Sequence, residues 1–166
     1  MPVIDHWRKT ESRGEKMVFG KFISGADDLT PVQEIRKRVF EGELGLPMRA
    51  DMPDEFCIHA LAYDGDVPVG TGRILFDGER FTVAGIAVLK EYRGQMYGDF
   101  LIRLLIDKAM MSNAVEIYLD ALAGTEDFFR ITGFEVCGES YEKCDRLWTP
   151  MMLHTAKIHK CCECGR

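Results

Sequence analysis

At 166 residues the chain has the length of one domain, enough to bury a single sizeable core. Its hydrophobic content is 46%, and no apolar run approaches the roughly 20 residues that cross a bilayer, which sets aside a helical membrane protein. A net charge of −6, with no stretch that interleaves basic and aromatic residues, sets aside a nucleic-acid surface and favours a cationic substrate.

Residues 1–16 are polar and charged and contain no apolar h-region, so the expectation is a cytoplasmic protein whose first 16 residues form an extension. The alternation of Met17, Phe19, Phe22 and Ile23 predicts a first strand. Asp27 and Asp28 before Leu29 and Pro31 predict a helix start, with Thr30 as N-cap and Pro31 at the first helical position. That helix runs through Ile35, Val39 and Phe40 to the glycines at 42 and 45, and a loop follows to about Glu55. Strands at 57–63 and 67–76 are joined by Asp64-Gly65-Asp66, and the next turn, Asp77-Gly78-Glu79, leads into an apolar run over 81–89. Asp-Gly is a strong hairpin signal, so these strands are antiparallel.

A helix is predicted over 99–111, because Asp99, Arg103 and Asp107 recur every four residues on one polar stripe while leucine, isoleucine and alanine fill the rest. Val115, Ile117, Leu119 and Ala121 alternate with Glu116, Tyr118 and Asp120 as a strand parallel to 81–89. A short helix over 125–131 ends at Gly133, and 134–138 pairs with 147–153 as a last hairpin. The fold class is α/β with a mixed, mostly antiparallel sheet, in a domain over 17–154 followed by a cysteine-rich tail at 155–166.

Cys57 and Cys137 fall among strand residues as small thiols, and Cys144 lies in a polar turn. In the tail, His154, His159, Cys161, Cys162 and Cys164 are ligand types that zinc accepts. The two-residue spacer by which paired cysteines grip one tetrahedral ion is missing, so no metal site is assigned and a zinc-binding tail stays as an alternative.

Between the apolar run and the helix stands Arg93-Gly94-Gln95-Met96-Tyr97-Gly98. A strand, a glycine-bearing turn and a helix start together make an anion site, since the first N–H groups of the helix and its dipole face the turn and Arg93 adds a full charge. It has neither the Gly-Lys-Ser/Thr ending of a Walker loop nor the glycine spacing of a dinucleotide fingerprint. It resembles the pyrophosphate loop of the GNAT superfamily of acyl-CoA N-acyltransferases, with Arg93 and Gly98 at its ends and Met96 in place of the central glycine. Val69-Gly70-Thr71-Gly72-Arg73 is similar to that family's third strand, Ile86-Ala87-Val88 to its fourth, Ile35 to Phe40 to its first helix, and Phe128-Phe129-Arg130-Ile131-Thr132-Gly133-Phe134 to its terminal signature.

The resemblance implies that the parallel central strands splay and that acetyl-CoA, the cosubstrate, lies between them. Ile86, Ala87 and Val88 would contact its pantetheine arm, and Arg93, Gly94, Gln95, Met96, Tyr97, Gly98 and Asp99 its pyrophosphate. The acetyl group would pass directly to an amine of a small molecule, peptide or protein. Phe129 stands where the family places a tyrosine acid, which leaves thiolate departure without one or a substitute hydroxyl from Tyr118 or Tyr141. Glu43, Asp51, Asp54, Glu55 and His59 cluster on the acceptor side, where Glu43 and His59 are expected to attract the amine or relay its proton as general base, with Tyr118 as the substitute acid. The other reading of Phe129 and Met96 together is an acyl-CoA sensor that binds without turnover. No nucleic acid or membrane partner is expected, and a homodimer is left open, since the sequence does not carry the oligomeric state.

Overall fold

The structure, a computed structural model, describes residues 18–47 and 53–158. The cysteine pair and Cys164 of the tail, His159, Asp51 and the extension at 1–16 lie outside these residues.

One eight-stranded sheet organises the chain. β1 (Val18–Ser24), β2 (Ile58–Asp64), β3 (Val67–Phe76) and β4 (Phe81–Val88) follow one another as antiparallel neighbours. β5 (Glu116–Leu122) lies parallel to β4, and β8 (Arg146–His154) closes the far side, with β6 (Glu135–Val136) and β7 (Tyr141–Lys143) both paired to its outer edge. The mixed, mostly antiparallel sheet expected from the turn signals is what forms.

Helices cover both faces. α2 (Tyr97–Met111) buries Leu101, Ile102, Leu105 and Ile106 against one face. It lies close because β3 presents Gly70 and Gly72 there: a Cβ on Gly70 would stand 2.8 Å from Leu101, and one on Gly72 2.8 Å from Leu105. On the other face α1 (Thr30–Arg36) and the π-helical segment that continues it, Lys37–Glu43, set Val32, Ile35 and Val39 over Ile23, Leu61, Ala87 and Leu89. α3 (Glu126–Ile131) packs Phe129 edge-on to Phe134.

Three local expectations change. The N-cap of α1 is Leu29 and Thr30 is the first helical residue; Asp28, just before the cap, accepts at Oδ1 from Thr30 N–H at 3.0 Å and from the Thr30 hydroxyl at 2.6 Å. α2 begins two residues early, at Tyr97, because Met96 takes the left-handed conformation (φ 69°) and turns the chain directly into the helix. β7 is an additional strand, reached through a two-residue turn in which Cys144 (φ 54°) and Asp145 (φ 56°) are both left-handed.

Candidate active site

The sheet is interrupted at its centre. β4 and β5 pair only at Phe81↔Ile117 and Thr82↔Tyr118, then part, leaving the β4 edge from Val83 to Val88 facing the β5 edge from Leu119 onward. A cleft of about 1050 Å³ occupies the opening. Within β4 the ladder to β3 slips, from Arg73↔Ala84 to Thr71↔Ala87, so Gly85 and Ile86 together oppose Gly72. Gly85 has φ 64°, the left-handed geometry of a glycine bulge, which takes a peptide out of the ladder beside the opening.

The mouth of the cleft is the loop between β4 and α2. Gly94 (φ 73°) and Met96 are its two left-handed residues, and the Met96 side chain is 59% exposed. Among the described residues no side chain caps α2, and the N–H groups of Gly98 and Asp99 precede the first intrahelical bond, from Phe100 N–H to Met96 O at 2.9 Å. Gly98 serves for its lack of a side chain: a Cβ there would come 3.2 Å from the Phe128 ring. Arg93 Nε donates to Val88 O at 2.9 Å, and its Nη1 and Nη2 lie 2.8 and 3.1 Å from the two Glu43 carboxylate oxygens. The arginine is thereby fixed at the end of β4.

Deeper, on the α1 side, two arginines converge. Arg36 Nη1 donates to both carboxylate oxygens of Asp54 at 2.9 Å, and Arg73 Nη1 donates to Oδ1 at 2.6 Å. Both arginines line the cleft although they are only 5% and 6% exposed. Arg73 lies over the bulge, its Nε 3.6 Å from where a Gly85 Cβ would be. Burial opposes ionisation of Asp54, but the two guanidiniums outweigh it and hold the carboxyl below its ordinary range. Behind them His59, fully buried, faces the Asp54 carbonyl with Nε2 at 3.1 Å. Burial lowers its pKa, so the ring is neutral and donates through Nε2–H.

The sequence-predicted residues divide on this geometry. Ile86, Val88, Arg93, Gly94, Met96, Tyr97, Gly98 and Asp99 line the cleft, while Ala87 is buried under α1 and Gln95 Nε2 points to Glu91 O at 3.4 Å. Glu43 is the partner of Arg93. His59 lies beneath Asp54 and does not reach the cleft wall. Tyr118 is in a second hollow, with its hydroxyl on Glu116 at 2.6 Å and Arg80 stacked over its ring at 4.3 Å. Tyr141 and Phe129 both line the cleft, and Glu55 is exposed.

The arginine pair was not singled out in the sequence, yet a signal existed. Arg36 follows Val32 and Ile35 and precedes Val39, on the apolar side of its helix, where an unpaired charge would be costly. Arg73 opposes His59 across the β2–β3 ladder, so alternation puts both on the α1 face.

The sheet is parted along one strand edge, and the start of α2 stands at the mouth of the opening. The model of the acetyltransferase (GNAT) family matches residues 27–134. A Bacillus subtilis (strain 168) protein that carries the name of an acetyltransferase is 33% identical over 131 residues, 73% of this chain and 86% of that one. Among solved structures, an acyl-CoA N-acyltransferase from Pseudomonas aeruginosa shares the fold with a TM-score of 0.74 at 20% identity, covering 82% of this chain and 99% of that one. A GNAT family acetyltransferase from Elizabethkingia anophelis with acetyl-CoA bound gives 0.65 at 12% identity over 82% and 97% of the two chains. The chain belongs to the GNAT acetyltransferase family.

Proposed function

We propose that this chain is an N-acetyltransferase that moves an acetyl group from acetyl-CoA directly to an amine in the cleft between β4 and β5. The observation that carries the reading is the parting of those strands after Thr82↔Tyr118, because it leaves a polar strand edge open along the path to a helix start. Acetyl-CoA fits what lines this path. Residues 86–88 offer backbone groups to the pantetheine amides, and residues 93–99 offer N–H groups and the Arg93 charge to the pyrophosphate.

In the transfer, the neutral amine nitrogen forms a bond to the thioester carbonyl carbon, the carbon–sulfur bond breaks, and the amine gives up a proton to solvent water in the cleft. On this reading peptide N–H groups freed at the Gly85 bulge stabilise the oxyanion that develops between those events; the slipped register there supports it. Sulfur with an ordinary pKa of about 8.5 leaves as thiolate or takes its proton from water or from Tyr141, the one tyrosine of the two weighed as substitutes that reaches the cleft. Glu43 then serves by holding Arg93, and His59 by holding the segment that carries Asp54, both as positioning residues.

Calorimetric titration of acetyl-CoA into the reduced protein, beside Gly98→Trp, tests the site; thiol release with a panel of amines tests the reaction. Saturable binding by wild type that is lost in a still-folded Gly98→Trp variant is the expected result. Binding with no thiol release from any amine would turn the reading to an acyl-CoA sensor, and absence of binding would refute both.

A further inference from the structure

Two buried arginines line the inner end of the cleft, although the whole chain is acidic. Arg36 is 5% exposed and lines the cleft, and among the described residues only its Nη1 is bonded, to Asp54. Its Nε is buried with no partner. A buried guanidinium donor left unmatched is costly, and the Nε–Nη2 edge of an arginine is the fork that accepts a carboxylate through two parallel bonds. Arg73, sharing Asp54 with it, rests against the Gly85 bulge, where the reacting carbonyl is placed above.

On the reading of the cleft as an acetyl-transfer site, we propose that the acceptor is a small amino acid, an amine bearing a carboxylate a few bonds away that Arg36 grips through its Nε–Nη2 edge. Arg36 and Arg73 share Asp54, and Arg73 rests against the bulge, so on this reading the nitrogen that attacks there and the carboxylate that Arg36 holds belong to one compact molecule. A peptide N-terminus places no carboxylate at that distance unless its first side chain supplies it, and a polyamine supplies none. Asp54 sets the two guanidiniums side by side and itself repels a second carboxylate approaching Nη1, which directs the ligand away from that nitrogen.

The test uses the free amino acids and their carboxamides as matched acceptors, read as acetyl-CoA-dependent thiol release, with acetyl-CoA binding measured on the same samples. The expected result is that at least one amino acid exceeds its own amide by about 10- to 100-fold in kcat/KM, the value of a charge-assisted bond. In Arg36→Gln that ratio falls toward one through KM for the acid, and in Arg36→Lys it recovers only in part because the fork is gone. N-acetylated forms of the preferred amino acid should also bind the CoA-loaded wild type, read calorimetrically, and not Arg36→Gln. Equal rates for acid and amide, an unchanged ratio in Arg36→Gln, or no amino acid turned over by protein that binds acetyl-CoA would each overturn the proposal while leaving the CoA site standing. Failure of wild type to bind acetyl-CoA would instead overturn the reading beneath it.

Discussion

Met96 holds a conformation that L-residues avoid at a cost of about 1–2 kcal/mol, and it does so at the entrance to α2. Its side chain is mostly in solvent, so little burial offsets that cost. Glycine there would remove the strain and add about 0.5–1 kcal/mol of unfolded-chain entropy. Met96→Gly is therefore expected to raise stability by up to about 1 kcal/mol, or about 2–4 °C in Tm for a chain of this size, with acetyl-CoA affinity kept because the donors are backbone groups. A calorimetric pair of melting and titration checks both, and binding that appears only in the glycine variant would show that the methionine obstructs the phosphate site. Gly98 is the converse case: its role in a loop pattern reads as backbone freedom, whereas in the structure it makes room for Phe128.

At the level of elements, what the sequence conveyed followed the strength of its local signals. The hairpins turned by Gly65 and Gly78 and the long amphipathic α2 were legible because turn chemistry and periodicity agreed with the tertiary outcome. β7 was not, since its turn is Cys144-Asp145 and neither residue advertises a positive φ. The site divided in the same way. The loop at 93–98 is contiguous and could be seen, as could Asp54 with His59, but Arg36 and Arg73 join that pair from two other segments, through ladder register and helix packing. Because Lys143↔Arg146 closes a two-residue loop, Cys144→Asn with Asp145→Gly supplies the pair that this turn geometry prefers. The double variant is expected to gain about 1 kcal/mol in denaturant unfolding. The gain should leave the m-value unchanged; a loss of stability would mean that the side chains of the turn, which borders the cleft, hold it in place.

Across the whole molecule, a net charge of −6 pointed to a cationic substrate, while the described cleft concentrates arginine at its inner end. Bulk charge governs the far field, but a site of low dielectric answers to the groups within a few ångströms, so the local pair decides. The same cluster ties stability to pH. His59 has its folded pKa lowered by burial, so below the unfolded value of about 6.5 the unfolded chain takes up a proton that the folded chain refuses. Protons bound by the unfolded state exceed those bound by the folded state, and stability therefore falls as pH drops below about 6.5, with a slope of up to about 1.4 kcal/mol per pH unit until the folded ring itself titrates. Asp54 adds a separate loss further down: its folded pKa is lowered, so its contribution is complete above the ordinary carboxylate range and disappears as pH falls through the folded value. Urea unfolding between pH 8 and 5 separates the two, because only His59 of the pair titrates in that window. His59→Gln, which keeps a side-chain amide near the Asp54 carbonyl and cannot take up a proton, is expected to be less stable than wild type at pH 8 and to lose less stability on acidification to pH 5. An unchanged slope in the variant would mean that the acid sensitivity arises outside this cluster and that the histidine carries its proton equally well in both states.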